Sequence, residues 1–213
     1  MKMTENIHWF GQAAVKITTD GKVIYIDPYQ LKKADKADII LITHSHGDHL
    51  SPADIKKVAT DKTVIIATPD CATKLKDIKK SKLLTSEPGF STTIGDITIE
   101  AVPAYNVKKT KFHPKSNKWV GYVVTVNGVK IYHAGDTERV PEMKNIDCDI
   151  AMLPLGQTYT MSGPEEAAEA VKDVKAEIAI PIHFGMYEGK ESDAETFKKL
   201  LEGTAAVIIK KPE

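Results

Sequence analysis

Arginine is almost missing from this chain: Arg139 stands alone, and the other basic side chains are lysines. A surface that reads phosphates bidentately relies on the planar guanidinium fork, so this scarcity argues against nucleic-acid recognition. Net charge is missing as well. Basic and acidic side chains number 29 each, which removes the long-range field that draws a protein to nucleic acid or an anionic membrane. Cysteine is scarce, and Cys71 and Cys148 form no C-x-x-C pair, which excludes a disulfide framework and a thiolate metal site and fits free thiols in a cytoplasmic setting. No apolar run approaches the roughly 18 residues of a membrane helix. The first six residues, Met1-Lys2-Met3-Thr4-Glu5-Asn6, lack the apolar core of a signal peptide. These absences predict a soluble, unprocessed protein with no nucleic-acid or membrane partner. A length of 213 residues with 42% hydrophobic content predicts one domain over residues 1–213.

What the chain does have is concentrated in Leu41-Ile42-Thr43-His44-Ser45-His46-Gly47-Asp48-His49-Leu50. Four metal-capable side chains fall within six residues, in a sequence with seven histidines overall. Asp38-Ile39-Ile40-Leu41 reads as a buried strand, so the cluster sits at a strand's C-terminal mouth. Ser51-Pro52-Ala53-Asp54 then supplies a capping hydroxyl, a proline for the first helical position and a first-turn carboxylate, which start a helix. Imidazoles and a carboxylate held between strand and helix are the donor set of a zinc-type site.

His44-x-His46-x-Asp48-His49 resembles the signature of the metallo-β-lactamase fold superfamily. Tyr132-His133-Ala134-Gly135-Asp136-Thr137 is similar to the later motif whose aspartate bridges two metals, and Ile180-Pro181-Ile182-His183-Phe184-Gly185 to the segment with the last histidine ligand. The resemblance spans nearly the whole chain. It implies an α/β fold, an αββα sandwich of two mixed sheets with helices on the outer faces and metals at one edge. His46 stands where the flavodiiron branch carries a glutamate, and there is no room for the added domain or arm of the nucleolytic branches.

The pattern along the chain suits that fold. Asp20-Gly21, Gly95-Asp96 and Asn127-Gly128 each lie between strand-like runs and signal hairpins. The run Lys22–Asp27 ends at Pro28, and the resemblance makes Asp27 a carboxylate that hydrogen-bonds a metal-bound histidine. Helices are expected from Thr68-Pro69-Asp70 to about Lys80, from Ser162-Gly163-Pro164-Glu165, and from a capping box at Ser192–Glu195. A last strand is expected over Ala205–Ile209. His8 in its strand and His133 read more readily as packing or supporting residues than as ligands.

By motif matching, His44 and His46 would hold a first metal and Asp48, His49 and His183 a second, with Asp136 between them. The resemblance implies two divalent ions, zinc first, with manganese or iron as alternatives. Such ions lower the pKa of a shared water and hold the resulting hydroxide against a substrate carbonyl or phosphoryl group. Asp48 could orient that hydroxide, and Tyr159, in the Gly156–Met161 run, could donate a hydrogen bond to a polarised oxygen. The family pattern has a histidine ligand where this chain has Asn106. An amide oxygen is the poorer ligand, so the first site is weakened, altered in metal preference or completed by another group, with His113 the candidate. The segment after Asn106 carries Lys108, Lys109 and Lys111, which either overhang the pocket and meet an anionic substrate or form a solvated loop.

The expected activity is hydrolysis of an ester, lactone or phosphoester of a small anionic molecule, as in small single-domain hydrolases similar to ascorbate-6-phosphate lactonase. Two other readings stay open, a mononuclear iron oxygenase of the same fold and a non-enzymatic metal-binding or sensor protein. A small-molecule substrate is the expected partner, and a homo-oligomer is compatible with all three readings.

Overall fold

In a computed structural model describing residues 2–213, the chain divides into two units, residues 2–87 with 211–213, and residues 88–210. Met1, the start of the polar N-terminal stretch, lies outside the described residues. The first unit opens with a short helix α1 (Lys2–Glu5) and strand β1 (Ile7–Trp9). Asp20 and Gly21 both adopt positive φ, 43° and 76°, the left-handed pair a tight type I′ turn demands, and they fold β2 (Val15–Thr19) back on β3 (Lys22–Ile26). Strands β4 (Ile39–Ile42), β5 (Val64–Ala67) and β6 (Lys82–Thr85) complete a six-stranded sheet in sequence order. Strands β1 to β3 are antiparallel and β3 to β6 parallel. All four residues of β4 are buried, which suits the unbroken apolar run of an interior parallel strand.

Helix α2 (Pro52–Val58) follows the histidine cluster and presses Ile55 and Val58 into a core of Phe10, Tyr25, Ile40 and Ile65. Its start is fixed by Ser51, whose hydroxyl accepts from the Asp54 amide, and by Asp54 itself. The Asp54 carboxylate accepts from the amides of Gln30 (2.9 Å) and Leu31 (3.1 Å) and from Lys57 Nζ (2.8 Å), pinning the 28–31 turn to the helix. Burial alone would raise the Asp54 carboxyl, but Lys57, Ser51 and the two amides outweigh it and hold the group below its ordinary value. A depressed folded value means stability that is complete above the unfolded carboxyl value of about 3.9 and fades as pH falls through the folded one. Asp54→Asn is therefore expected to cost about 2 kcal/mol near neutrality. In urea unfolding at pH 7 and pH 3, the gap between wild type and variant should narrow at the lower pH.

The segment after β5 departs from expectation. A regular helix to about Lys80 is replaced by a 3₁₀ stretch, Pro69–Leu75. The Thr68 hydroxyl donates to the Asp70 carboxylate (2.6 Å) and makes no cap to the backbone, while Lys80 Nζ folds back on the carbonyls of Leu75, Lys76 and Ile78 and closes the segment. Strand β6 has no clear alternation of burial, which hid it from sequence reading.

In the second unit, β7 (Ser91–Ile94), β8 (Ile97–Pro103), β9 (Val120–Val126), β10 (Val129–His133), β11 (Ile150–Pro154), β12 (Ile178–Ile182) and β13 (Ala206–Val207) form a seven-stranded sheet in the order β13-β12-β11-β10-β9-β8-β7. Both remaining hairpin turns occur as expected. Pairing is antiparallel from β7 to β10 and parallel from β10 to β13, so β8, β10, β11 and β12 run the same way. Their C-terminal ends deliver Asn106, Asp136, the 155–161 loop and His183 to one edge of the sheet. Helices α3 (Pro164–Asp173) and α4 (Glu191–Leu200) pack on each other. Helix α4 starts earlier than expected, because the Asp193 carboxylate accepts from the Lys190 amide (2.7 Å) and moves the cap from Ser192 to Lys190. The last strand is reduced to Ala206–Val207. Among the described residues no helix is long and apolar enough to cross a membrane. Two mixed sheets with accompanying helices confirm the α/β class.

Candidate metal centre

Within the first unit, the donors hang from a buried carboxylate. Asp27, fully buried at the end of β3 with φ of 47°, accepts from the Thr43 amide through Oδ1 (2.8 Å) and from the Thr43 hydroxyl through Oδ2 (2.6 Å). The same Oδ2 lies 2.7 Å from His49 Nδ1. An imidazole whose Nδ1 proton faces a carboxylate presents a bare Nε2, the form that binds a metal. The effect reaches one residue further. Thr43 Oγ1 has given its proton to Asp27, so at 2.9 Å it can only accept from His44 Nδ1, which leaves His44 Nε2 bare too. A single carboxylate thus fixes the tautomers of two histidines. His44 Nε2 sits 3.1 Å from His46 Nδ1, and Asp48 Oδ2 sits 3.6 Å from His49 Nε2. Gln12 holds Asp48 in place, donating from Nε2 to Oδ2 (2.8 Å).

Within the second unit, Asp136 is the centre. Its Oδ2 lies 3.2 Å from His113 Nε2 and its Oδ1 3.1 Å from His183 Nε2, with all three residues buried. Ligands about 2.0–2.1 Å from a tetrahedral cation stand about 3.3 Å apart. The two contacts to Asp136 and the His44–His46 contact match that spacing, so the donors present fit a zinc-type ion. The His113 ring is held from behind by a bond to the Tyr159 carbonyl (3.1 Å). Asn106 Nδ2 donates to the carbonyls of Tyr159 (2.7 Å) and Lys109 (3.2 Å), which fixes the amide's orientation. At the place where the family pattern expects a histidine, this chain thus supports a ring that arrives seven residues later.

Other expected site residues take different places. Tyr159 contributes its backbone to this arrangement, while its side chain is 40% exposed and meets the Phe112 ring edge-on. Lys109 Nζ is a strut to the carbonyls of Thr160 and Gln157, and Lys111 lies over the Phe112 ring, 4.6 Å from its centroid. Lys108 is exposed. His133 is fully buried and accepts from the Gly135 amide (3.1 Å), while His8 pairs with Glu213 (2.7 Å). Arg139, the lone arginine, is clamped bidentately on Asp173 of α3 (2.6 and 2.9 Å).

Two buried glutamates escaped the sequence reading. Glu138 accepts from the amides of Val107 (2.7 Å) and Lys108 (2.6 Å) and shapes the turn after Asn106. Glu188 accepts from the amides of Gln157 (3.0 Å), Thr158 (2.8 Å) and Tyr159 (2.7 Å) and from the Thr160 hydroxyl (2.8 Å), and its Oε1 lies 3.0 Å from His183 Nδ1. Burial would raise the Glu188 carboxyl, but His183, the Tyr159 amide and Thr160 outweigh it and hold the group down at about 2. The only sequence signal was a glutamate bracketed by Gly185 and Gly189. Thr43 and Gln12 carried no signal beyond their nearness to the motifs.

A family model described as "Beta-lactamase superfamily domain" matches residues 6–183. The chain is also 37% identical to a "UPF0173 metal-dependent hydrolase" of Thermococcus onnurineus, over 97% of this chain and 96% of the relative. It belongs to the β-lactamase superfamily, in its UPF0173 metal-dependent hydrolase family. This β-lactamase superfamily member also resembles the crystal structure of a Parabacteroides distasonis protein named as a metal-dependent hydrolase, with a TM-score of 0.84 at 36% identity over 97% of this chain and 93% of that one. At 16% identity, the metallo-β-lactamase fold protein YhfI of Bacillus subtilis shares the fold, with a TM-score of 0.71 over 95% of this chain and 90% of that one. The metallo-β-lactamase fold expected from the motifs is thereby shown.

Proposed function

We propose that this protein hydrolyses an ester, lactone or phosphoester bond in a small molecule with the help of two divalent cations, zinc first. The observation that carries the reading is Asp136, one buried carboxylate with an imidazole nitrogen near each of its oxygens. On this reading His44, His46 and His113 would hold one cation and Asp48, His49 and His183 the other, with Asp136 between them as the motif likeness implies. When bound, such cations lower the pKa of a coordinated water and polarise the substrate oxygen. The chain's own residues do the rest. Asp27 and Thr43 keep His49 and His44 in the ligating tautomer, and Tyr159 does so for His113 through its carbonyl. Asp48, steadied by Gln12, orients the attacking water, and the Tyr159 phenol can donate to the developing oxyanion.

For an anionic substrate the cations to enlist are Lys108 and Lys111, since Lys109 is tied to two carbonyls. Asn106 acts here through His113. The protein works in the cytoplasm on a small molecule, with no nucleic-acid or membrane partner. Protein purified without added metal should carry about two ions per chain and hydrolyse members of an ester, lactone and phosphodiester panel, with the rate lost on chelation and in His49→Ala. One iron per chain with oxygen uptake, or no activity sensitive to His49→Ala, would overturn the reading. Unchanged anion binding in a Lys108→Ala, Lys111→Ala double variant would remove the anionic part alone.

A further inference from the structure

We propose that Glu188 is a positioning residue that couples two histidines 70 positions apart in sequence, His113 and His183, through the Gln157–Thr160 turn. The inference rests on reading those histidines as metal ligands, but its decisive test does not. The contacts close a ring. Asp136 meets His113 and His183 at its two oxygens, His113 Nδ1 donates to the Tyr159 carbonyl, the Tyr159 amide donates to Glu188 Oε2, and Glu188 Oε1 faces His183 Nδ1. Every link is 3.2 Å or shorter. The carboxylate therefore sets one imidazole directly and the other through the backbone of a single residue, Tyr159.

The packing is built round that carboxylate. A Cβ at Gly156 would lie 2.0 Å from Glu188 Oε1 and 2.1 Å from Thr160 Oγ1. Gly189, at φ of 67°, would bring a Cβ to 2.5 Å from the Leu155 carbonyl. Neither position admits a side chain without displacing Glu188 or its neighbours. Only a carboxylate satisfies the site, because three amides converge on one oxygen while the Thr160 hydroxyl and His183 meet the other. A glutamine has one acceptor oxygen, so its NH₂ must face either the three amides or the hydroxyl and imidazole.

The test is Glu188→Gln in the full chain, read in two ways. In metal-free, ¹⁵N-labelled protein, the imidazole nitrogen resonances of both His113 and His183 should move. Zinc affinity, measured by competition with a chelating dye, should fall about ten- to a hundredfold. Glu138→Gln, which loosens a different turn, should leave the His183 resonances in place. If Glu188→Gln does not fold, Thr160→Val, which removes one donor to Oε1, should move the same two histidines by a smaller amount. Wild-type His113 resonances in a folded Glu188→Gln or in Thr160→Val would overturn the coupling, as would unchanged zinc affinity. The metal-free readout is independent of catalysis, so its failure is distinct from a failure to find hydrolysis.

Discussion

Replacing Asp136 with asparagine is expected to lower turnover at least about a hundredfold and to remove bound metal, the largest functional loss from any single conservative change. Both carboxylate oxygens are engaged, one near His113 and one near His183, and an amide offers one acceptor where two are needed. It also removes the negative charge that would offset the proposed cations. Metal content per chain and initial rates on the same preparation check the expectation, and wild-type values for both would contradict it. His133→Gln is the useful control. His133 is buried three residues away but bonds the Gly135 amide, so its loss should lower stability and leave metal content unchanged.

Asp27→Ala carries the largest expected cost to stability, about 3–5 kcal/mol. The change strands the Thr43 amide and hydroxyl and the His49 ring in a site without water access. Asp27→Asn separates the two roles of this carboxylate. The amide oxygen can still accept from the Thr43 amide, but its NH₂ then faces the Thr43 hydroxyl and His49 Nδ1 and favours the wrong histidine tautomers. The asparagine variant should stay folded and lose about ten- to a hundredfold in metal affinity. Denaturant unfolding and chelator competition on both variants separate these outcomes, and wild-type metal affinity in Asp27→Asn would sink the tautomer argument.

The fold was legible where local chemistry is unambiguous. Hairpins at Asp20-Gly21 and Asn127-Gly128 require left-handed backbone that few residue pairs accept, and the apolar run before His44 could only be a buried strand. The 3₁₀ stretch at Pro69–Leu75 and the early start of α4 were not legible, because each turns on which partner a side chain finds: the Thr68 hydroxyl donates to Asp70 and caps no backbone amide, and the Asp193 carboxylate accepts from the Lys190 amide. The same limit applies at the site. Spacing exposes candidate ligands that cluster in sequence, as at 44–49, and motif likeness adds Asp136 and His183 as candidates. It says little about Glu188 or Glu138, whose partners are backbone amides about thirty residues away, since a backbone amide has no sequence identity. Lys109 shows the converse, a residue read as a binding cation that the fold uses as a strut.

His183 has a φ of 57°, a backbone state that an imidazole-bearing residue adopts only under tension of about 1 kcal/mol or more. Glycine or asparagine would sit there at ease, yet neither offers a ring nitrogen. The histidine is thus held against the backbone's own preference, so part of the fold's stability is spent on presenting that ring. His183→Gly should therefore relieve the backbone while removing the ring, a gain and a loss that thermal unfolding and metal content measured on one preparation would separate.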